Sequence, residues 1–126
     1  MLSFSKRQIS GVEAASQAQF LRETLALHRR DCPGLVEDQT DDHALDILGD
    51  CSQTARDFGF TTEALIRRFL VIQAVAGRYF YEDPSLAEAH PFVEGDATDA
   101  HTRMMRIEVA VLEVLNPEPD EDDPFG

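Results

Sequence analysis

One long apolar stretch, residues 60–81, constrains the fold more than any other part of this chain. Its apolar side chains recur at three- and four-residue steps, the period of an α-helix. They are Leu65, Ile66, Phe69, Leu70, Val71, Ile72, Val75, Ala76, Tyr79 and Phe80. A helix that is apolar around most of its circumference is buried among other elements. We therefore predict a buried central helix over about residues 61–81.

The rest of the chain predicts helices that can surround this central one. Apolar residues at helical spacing predict helices over about residues 6–31, 41–58 and 98–115. The stretch between the last two long helices contains prolines and a glycine, and it predicts only a short helical turn at residues 85–89. A length of 126 residues suits one domain. We expect an all-α bundle of four main helices over residues 1–116.

Local signals predict where these helices begin and how closely they approach. Asp41 or Asp42 is expected to cap the second helix, and Thr61 the central helix. Gly77 is expected to let a neighbouring helix pack closely against the central one. Residues 117–126 contain five acidic residues and no basic residue. This composition predicts a disordered acidic tail.

The net charge of −13, from 24 acidic and 11 basic residues, limits the kinds of molecule that this protein is expected to bind. An acidic surface repels phosphate backbones, so we expect no nucleic-acid partner, and it accelerates association with a basic protein. The chain has no apolar run of membrane-spanning length and no secretory signal at its beginning, so we expect a cytoplasmic protein that does not bind membranes. Both cysteines are expected to be reduced there.

The candidate partner-binding residues fall into an acidic and an apolar group. The acidic group is Asp38, Asp41, Asp42, Asp46 and Asp50. These residues either recognise a basic partner or form an ordinary solvated helix face. The apolar group is Phe92 and Phe125, with Val93 as a further exposed candidate. Exposed apolar side chains of this kind would suit an adaptor protein instead.

Residues that could carry catalysis or bind metal form no recognised constellation. His28, Cys32, His43 and Cys51 lack the paired spacing of a zinc site, so we interpret the thiols as small apolar groups and the histidines as surface or boundary residues. Neither a nucleophile elbow nor an inward-facing Glu-x-x-His pattern occurs. We predict no catalytic residue, no metal and no cofactor.

Three arginines interrupt the apolar surface of the central helix. Arg67, Arg68 and Arg78 can reach solvent past their own stems or pair with nearby carboxylates. The carboxylates expected to pair with them are Asp57, Glu63 and Glu82. The alternative is a small docking point for an anion.

The order of several motifs resembles a group of small helical bacterial proteins encoded beside effector and spike-protein genes in type VI secretion and polymorphic-toxin loci. The matching residues are Gln8, Phe20, His28, Pro33, Ala55, Gly59, Phe60, Glu63, Arg68, Gly77, Phe80, Asp83 and Pro84. The resemblance implies a role near a secreted toxin, as an immunity protein, an effector chaperone or a loading accessory, and it supplies no catalytic residue. Together with the acidic body and the lack of a catalytic constellation, it leads us to expect a non-enzymatic protein that binds a cognate effector as an immunity protein or chaperone. The alternative is a structural or regulatory adaptor that contacts a spike or baseplate component through the exposed apolar candidates.

Overall fold

The computed structural model describes residues 2–95 and 99–115, with side chains described from Ser16 onward. All regular structure within these ranges is helical, which confirms the all-α prediction. The α-helices are α1 (Leu2–Asp31), α2 (Asp41–Asp57), α3 (Glu63–Ala76), α4 (His90–Glu94) and α5 (Ala100–Leu115). Short 3-10 turns lie at Pro33–Leu35, Phe80–Glu82 and Pro84–Leu86. None of the described helices has both the length and the apolarity needed to cross a bilayer. The predicted tail at residues 117–126 lies outside the described residues.

Helix α3 is the centre of the bundle, as predicted. It packs against α1, α2 and α5, and also against the 3-10 turn that follows α1. Its fully buried Phe69 lies at the middle of an aromatic cluster. The ring centroids of Phe58, Phe60, Phe80 and Tyr81 are 5.4 to 6.2 Å from that of Phe69. Phe58 ends α2, Phe60 precedes α3, and Phe80 and Tyr81 follow α3. The cluster therefore connects the end of α2 with both ends of α3.

Helix α3 ends at Ala76, five residues before the predicted end, because Gly77 has a φ of +116°. That conformation lies outside the helical region and favours glycine. The apolar pattern continues to residue 81 since the next 3-10 turn buries Phe80. The predicted close approach at Gly77 is wrong, because a Cβ there would meet nothing within 4 Å.

The prediction that α3 is buried around most of its circumference is wrong on one side. Val71 and Val75 are 43% and 50% exposed. The neighbouring helices α1 and α5 cover the flanks of α3 and leave this strip open. The sequence pattern could not show this gap, because buried and exposed valines have the same hydrophobicity.

Threonine side chains cap α2 and α3, each at a position one residue away from a predicted cap. The Thr40 hydroxyl accepts a hydrogen bond from the His43 amide, and the Thr62 hydroxyl accepts one from the Leu65 amide, each at 3.2 Å. The predicted caps, Asp41 or Asp42 for α2 and Thr61 for α3, are therefore wrong, by one or two residues for α2 and by one for α3. The threonine occupies the capping position in both cases, because its extended backbone lets the hydroxyl reach the first free amides.

The region between α3 and α5 contains more helix than the sequence predicts. A 3-10 turn at Pro84–Leu86 replaces the predicted turn at residues 85–89, and α4 follows it. Helix α4 packs against α5 and buries Val93 completely. The expectation that Val93 is exposed is therefore wrong.

Arg103 lies on the core face of α5 and connects this helix to the ends of α2 and α4. Its guanidinium donates hydrogen bonds to the carbonyls of Phe92 (2.8 Å), Val93 (2.5 Å) and Phe58 (2.7 Å). It also lies 4.6 Å from the centre of the Phe60 ring. The side chain is 5% exposed. Arg103 thus supplies hydrogen-bond donors to carbonyls at the ends of α2 and α4.

Gly34 lies close against the backbone of α3, and its replacement is expected to destabilise the protein. A Cβ at Gly34 would lie 2.1 Å from the backbone oxygen of Ala74. We expect Gly34→Ala to lower the free energy of unfolding by about 2 kcal/mol or more, because backbone must move to remove the overlap. Urea unfolding followed by circular dichroism measures this change.

Gly49→Ala is the matched control. Gly49 lies in helix α2, and a Cβ there would lie 3.6 Å from a methyl carbon of Leu21 in α1, which is an ordinary contact. This substitution is expected to leave stability unchanged or to raise it by up to about 1 kcal/mol, because alanine is the better helix former. Equal stabilities for Gly34→Ala and the wild type would contradict the described packing.

Candidate functional site

The solvent-facing side of α2 carries a row of four exposed carboxylates. Asp42, Asp46, Asp50 and Asp57 follow one another at steps of four or seven residues, so they lie on one face of the helix. The row extends over about 22 Å at the rise of an α-helix. We call these four residues the acidic stripe. Arg78 approaches one member, Asp50, at 3.8 Å, and both side chains remain open to solvent.

The structure brings three of the five predicted acidic residues into the stripe and places two elsewhere. Asp41 points toward α1, where its carboxylate pairs with Arg29 at 3.0 Å. Asp38 lies in the loop before α2 with a φ of +65°. Asp57 was not among the predicted residues. Its seven-residue spacing from Asp50, two helical turns, was the signal that could have found it.

Of the two predicted apolar contact residues, only Phe92 lies among the described residues. Phe92 is half-buried against the core, and the Arg106 guanidinium lies 5.9 Å from the centre of its ring. Phe125 lies outside the described residues. Helix α5 carries exposed apolar side chains at other positions, because Met105, Val109 and Leu112 are 50%, 48% and 59% exposed. We call these three residues the α5 stripe.

The arginines of α3 form ion pairs, although with partners other than the predicted ones. Arg68 makes two hydrogen bonds to Glu108 of α5, at 2.8 and 2.6 Å. Arg67 pairs with Glu23 of α1 at 3.2 Å. Asp57, Glu63 and Glu82 are not the partners, because the helices around α3 bring carboxylates from α1 and α5 closer. These contacts favour the ion-pair interpretation over an anion-docking point.

A cleft of about 350 Å³ lies between α1 and α3. Its lining is Thr24, Leu27, His28, Asp31, Cys32, Arg67, Val71 and Val75. Thr24 and His28 are almost fully buried, at 1% and 2% exposure. The interpretation of His28 as a surface or boundary residue is therefore wrong. Phe20, Thr24 and His28 follow at four-residue steps, so a polar continuation of the apolar face of α1 was the available signal.

Burial in this cleft lowers the pKa of His28 below its usual value. The unfolded chain therefore binds a proton at His28 at a higher pH than the folded chain does. Stability contributed by neutral His28 is complete above the usual pKa of about 6.5 and is lost as the pH falls from there toward the folded pKa.

As the pH falls from about 6.5 toward the folded pKa of His28, we expect the free energy of unfolding to decrease. The contribution of His28 to this decrease is at most about 1.4 kcal/mol per pH unit. Urea unfolding at a series of pH values measures the dependence. His28→Gln should remove this component, whereas His43→Gln, at an exposed position, should retain it. Superimposable pH profiles for His28→Gln and the wild type would contradict the assigned role of burial.

Both cysteines are free thiols in environments that do not activate them. Burial raises the pKa of the Cys51 thiol, and burial together with nearby Asp31 raises that of Cys32. A thiol with a raised pKa is a poor nucleophile at neutral pH, because the thiolate is the reactive form. The described residues contain no group of three or more His, Cys, Asp or Glu side chains placed to hold a metal ion.

Comparison with known proteins adds no relative to these observations. The chain matches no protein-family model, no curated protein and no solved structure.

Proposed function

We propose that this chain is a non-enzymatic protein-binding accessory of a bacterial toxin or type VI secretion locus. It binds a cognate effector as an immunity protein or chaperone, and it acts in the cytoplasm. The order of motifs along the chain supports the type of locus. The acidic stripe of α2 supports the mode of binding, and it is the observation on which the proposal rests.

The stripe suits a basic protein partner for two reasons. Its four carboxylates face solvent from one side of one helix, so a complementary basic surface could contact all of them together. The protein as a whole is strongly acidic, so its field adds to the local attraction during the encounter. The partner we propose is therefore an effector with a basic surface patch.

Two experiments together test this proposal. The first is co-purification with the product of the adjacent effector gene, and the second measures whether this chain restores growth to cells that express the effector. Binding with rescue of growth supports an immunity protein. Binding without rescue supports a chaperone. Absence of binding by the full-length chain contradicts both.

The second candidate is a structural or regulatory adaptor that contacts a spike or baseplate component. The α5 stripe favours it, because three exposed apolar side chains at helical spacing point away from the core face of the helix. Val109→Lys distinguishes the candidates. It should abolish binding by an adaptor that uses the α5 stripe and leave binding through the acidic stripe unchanged.

A further inference from the structure

The side of α5 that faces away from the bundle carries the α5 stripe. Its members Met105, Val109 and Leu112 follow one another at steps of four and three residues. The same alternation of steps occurs where two helices pack along each other in a coiled coil. The three side chains are 48% to 59% exposed, so the described elements leave them largely uncovered. The stripe therefore has the form of one half of a helix–helix contact.

Two opposite charges lie beside the stripe, and both are uncompensated within the described residues. Arg106 and Glu113 are separated by seven residues, or two helical turns, so they lie on the same side of the stripe. Both are exposed, and neither takes part in an ion pair among the described residues. Glu108, on the other side of the stripe, already makes two hydrogen bonds to Arg68. A helix packed on the stripe therefore meets one free cation and one free anion on one flank.

An antiparallel second copy of α5 matches both the apolar and the charged positions. With a two-fold axis at Val109, the two copies of Val109 meet at the centre, and Met105 lies beside Leu112 of the second copy. Arg106 precedes Val109 by three residues and Glu113 follows it by four, which are about 4.5 and 6 Å along the helix axis. Arg106 then lies beside Glu113 of the second copy, with an axial offset of only about 1.5 Å. The two-fold axis makes this pairing occur twice.

A parallel second copy does not match the charges. In a parallel pair, a residue on one flank of the first helix meets a residue on the other flank of the second helix, one turn further along. Glu108 would then lie beside Glu113 of the second copy, and the two carboxylates would repel each other. The charge pattern of α5 therefore selects the antiparallel arrangement.

A groove beside the stripe gives the second copy a place to pack. The groove has a volume of about 310 Å³, and Phe92 and Val109 contribute apolar surface to it. Its lining also contains two carboxylates, Glu88 and Glu113, and one cation, Arg106. Because the carboxylates outnumber the cation, the groove attracts the arginine that a second copy brings to it.

We propose that the α5 stripe is the contact between two copies of this chain, which form an antiparallel α5–α5 dimer with its two-fold axis at Val109. The contact is closed, since each copy uses the same surface and none of it remains for a third copy. One helix pair buries less surface than a standard protein–protein interface, so the dimer is weak, with a Kd on the order of micromolar or above.

Sedimentation equilibrium of the purified full-length chain, with no other protein present, tests this proposal. Each copy has a net charge of −13, so the measurement is made at about 0.15 M salt, where a Debye length of about 8 Å screens the long-range repulsion more than the contacts. We expect a monomer–dimer equilibrium within the range from about 10 μM to 1 mM protein. Monomers throughout this range would overturn the proposal and leave the stripe to a different protein. Assemblies larger than dimers would overturn the closed contact.

Val109→Lys and Val75→Lys form a matched pair. The two valines are 48% and 50% exposed, on α5 and α3, and both substitutions change the net charge equally. Val109→Lys places two ammonium groups together at the two-fold axis and should raise the Kd of the dimer by about tenfold or more. Val75→Lys should dimerise at least as well as the wild type. Equal loss of dimer in both variants would place the contact outside the α5 stripe.

A charge exchange tests the antiparallel register. Arg106→Glu places Glu beside Glu113 of the second copy and should weaken the dimer by about threefold to tenfold. Glu113→Arg should weaken it as well, although it reduces the net negative charge. The double variant restores both pairs in reversed order and has the wild-type net charge, so its Kd should return to the wild-type value. A double variant as weak as the single ones would overturn the register.

Arg22→Glu is the control for the change in net charge, because Arg22 is an exposed arginine of α1. It should dimerise about threefold or more tightly than Arg106→Glu. Equal Kd values for these two variants would assign the effect to net charge and overturn the Arg106–Glu113 contact. Circular dichroism checks that each variant is folded.

Discussion

Replacement of Arg103 by methionine is expected to lower the free energy of unfolding by about 3 to 5 kcal/mol, a large effect for a single substitution. Methionine retains much of the side-chain length and none of the donors. The carbonyls of Phe58, Phe92 and Val93 would then lose their guanidinium hydrogen bonds in a buried environment. The contact with the Phe60 ring would also lose its cationic component. Urea unfolding monitored by circular dichroism gives the difference.

Arg106→Met is the control for this prediction. Arg106 lies on the same helix and also lies over an aromatic ring, that of Phe92, but its side chain is exposed. Its loss should change stability by no more than about 0.5 kcal/mol. Arg103→Lys should be destabilised strongly as well, because one ammonium cannot reproduce the planar set of donors. If Arg103→Met and Arg106→Met unfolded at the same urea concentration, Arg103 would not be the link between α2, α4 and α5.

Neutralising the acidic stripe is expected to have the largest effect on partner binding. The variant carries asparagine at all four positions, Asp42, Asp46, Asp50 and Asp57. We expect it to associate with the basic partner about tenfold to a hundredfold more slowly, since complementary charges act mainly on the association rate. Its stability should change little, because exposed ion pairs such as Asp50 with Arg78 contribute little. Surface plasmon resonance measures the rate, and circular dichroism checks the fold.

A second charge variant controls for the change in net charge. It carries glutamine at four exposed acidic residues of the region from the Phe80–Glu82 turn to α5, namely Glu82, Glu88, Glu94 and Glu113. Both variants raise the net charge by the same amount. A smaller decrease in association rate for this control would place the contact at α2. Equal decreases would show that net charge alone determines binding and that the stripe is not a site.

The sequence predicted the all-α bundle and the central position of α3 because the helical period of apolar residues is long and regular there. It predicted helix ends less well. At residue 77 the apolar pattern continues through a helix end, because Phe80 is buried from a 3-10 turn instead of from α3. The apolar pattern indicates which residues are buried, and a residue can be buried without belonging to the helix.

The candidate sites could be predicted only where one helix carries them. The acidic stripe belongs to α2 alone, so its spacing predicted most of its members. The α1–α3 cleft depends on how the two helices lie relative to each other. The residue spacing within either helix alone does not determine that arrangement. Arg103 illustrates the same limit. Its place in the row with Ile107 and Val111 marks it as core-facing, whereas its carbonyl acceptors come from α2 and α4.

The measurement that tests the central claim most directly is the association rate of the wild-type protein with its effector at increasing salt concentration. If the acidic stripe guides a basic partner, the rate should fall by about tenfold or more between low and high ionic strength, because salt screens exposed charges. The four-asparagine variant should show a much weaker dependence. A wild-type rate that does not change with salt would contradict binding through the acidic stripe.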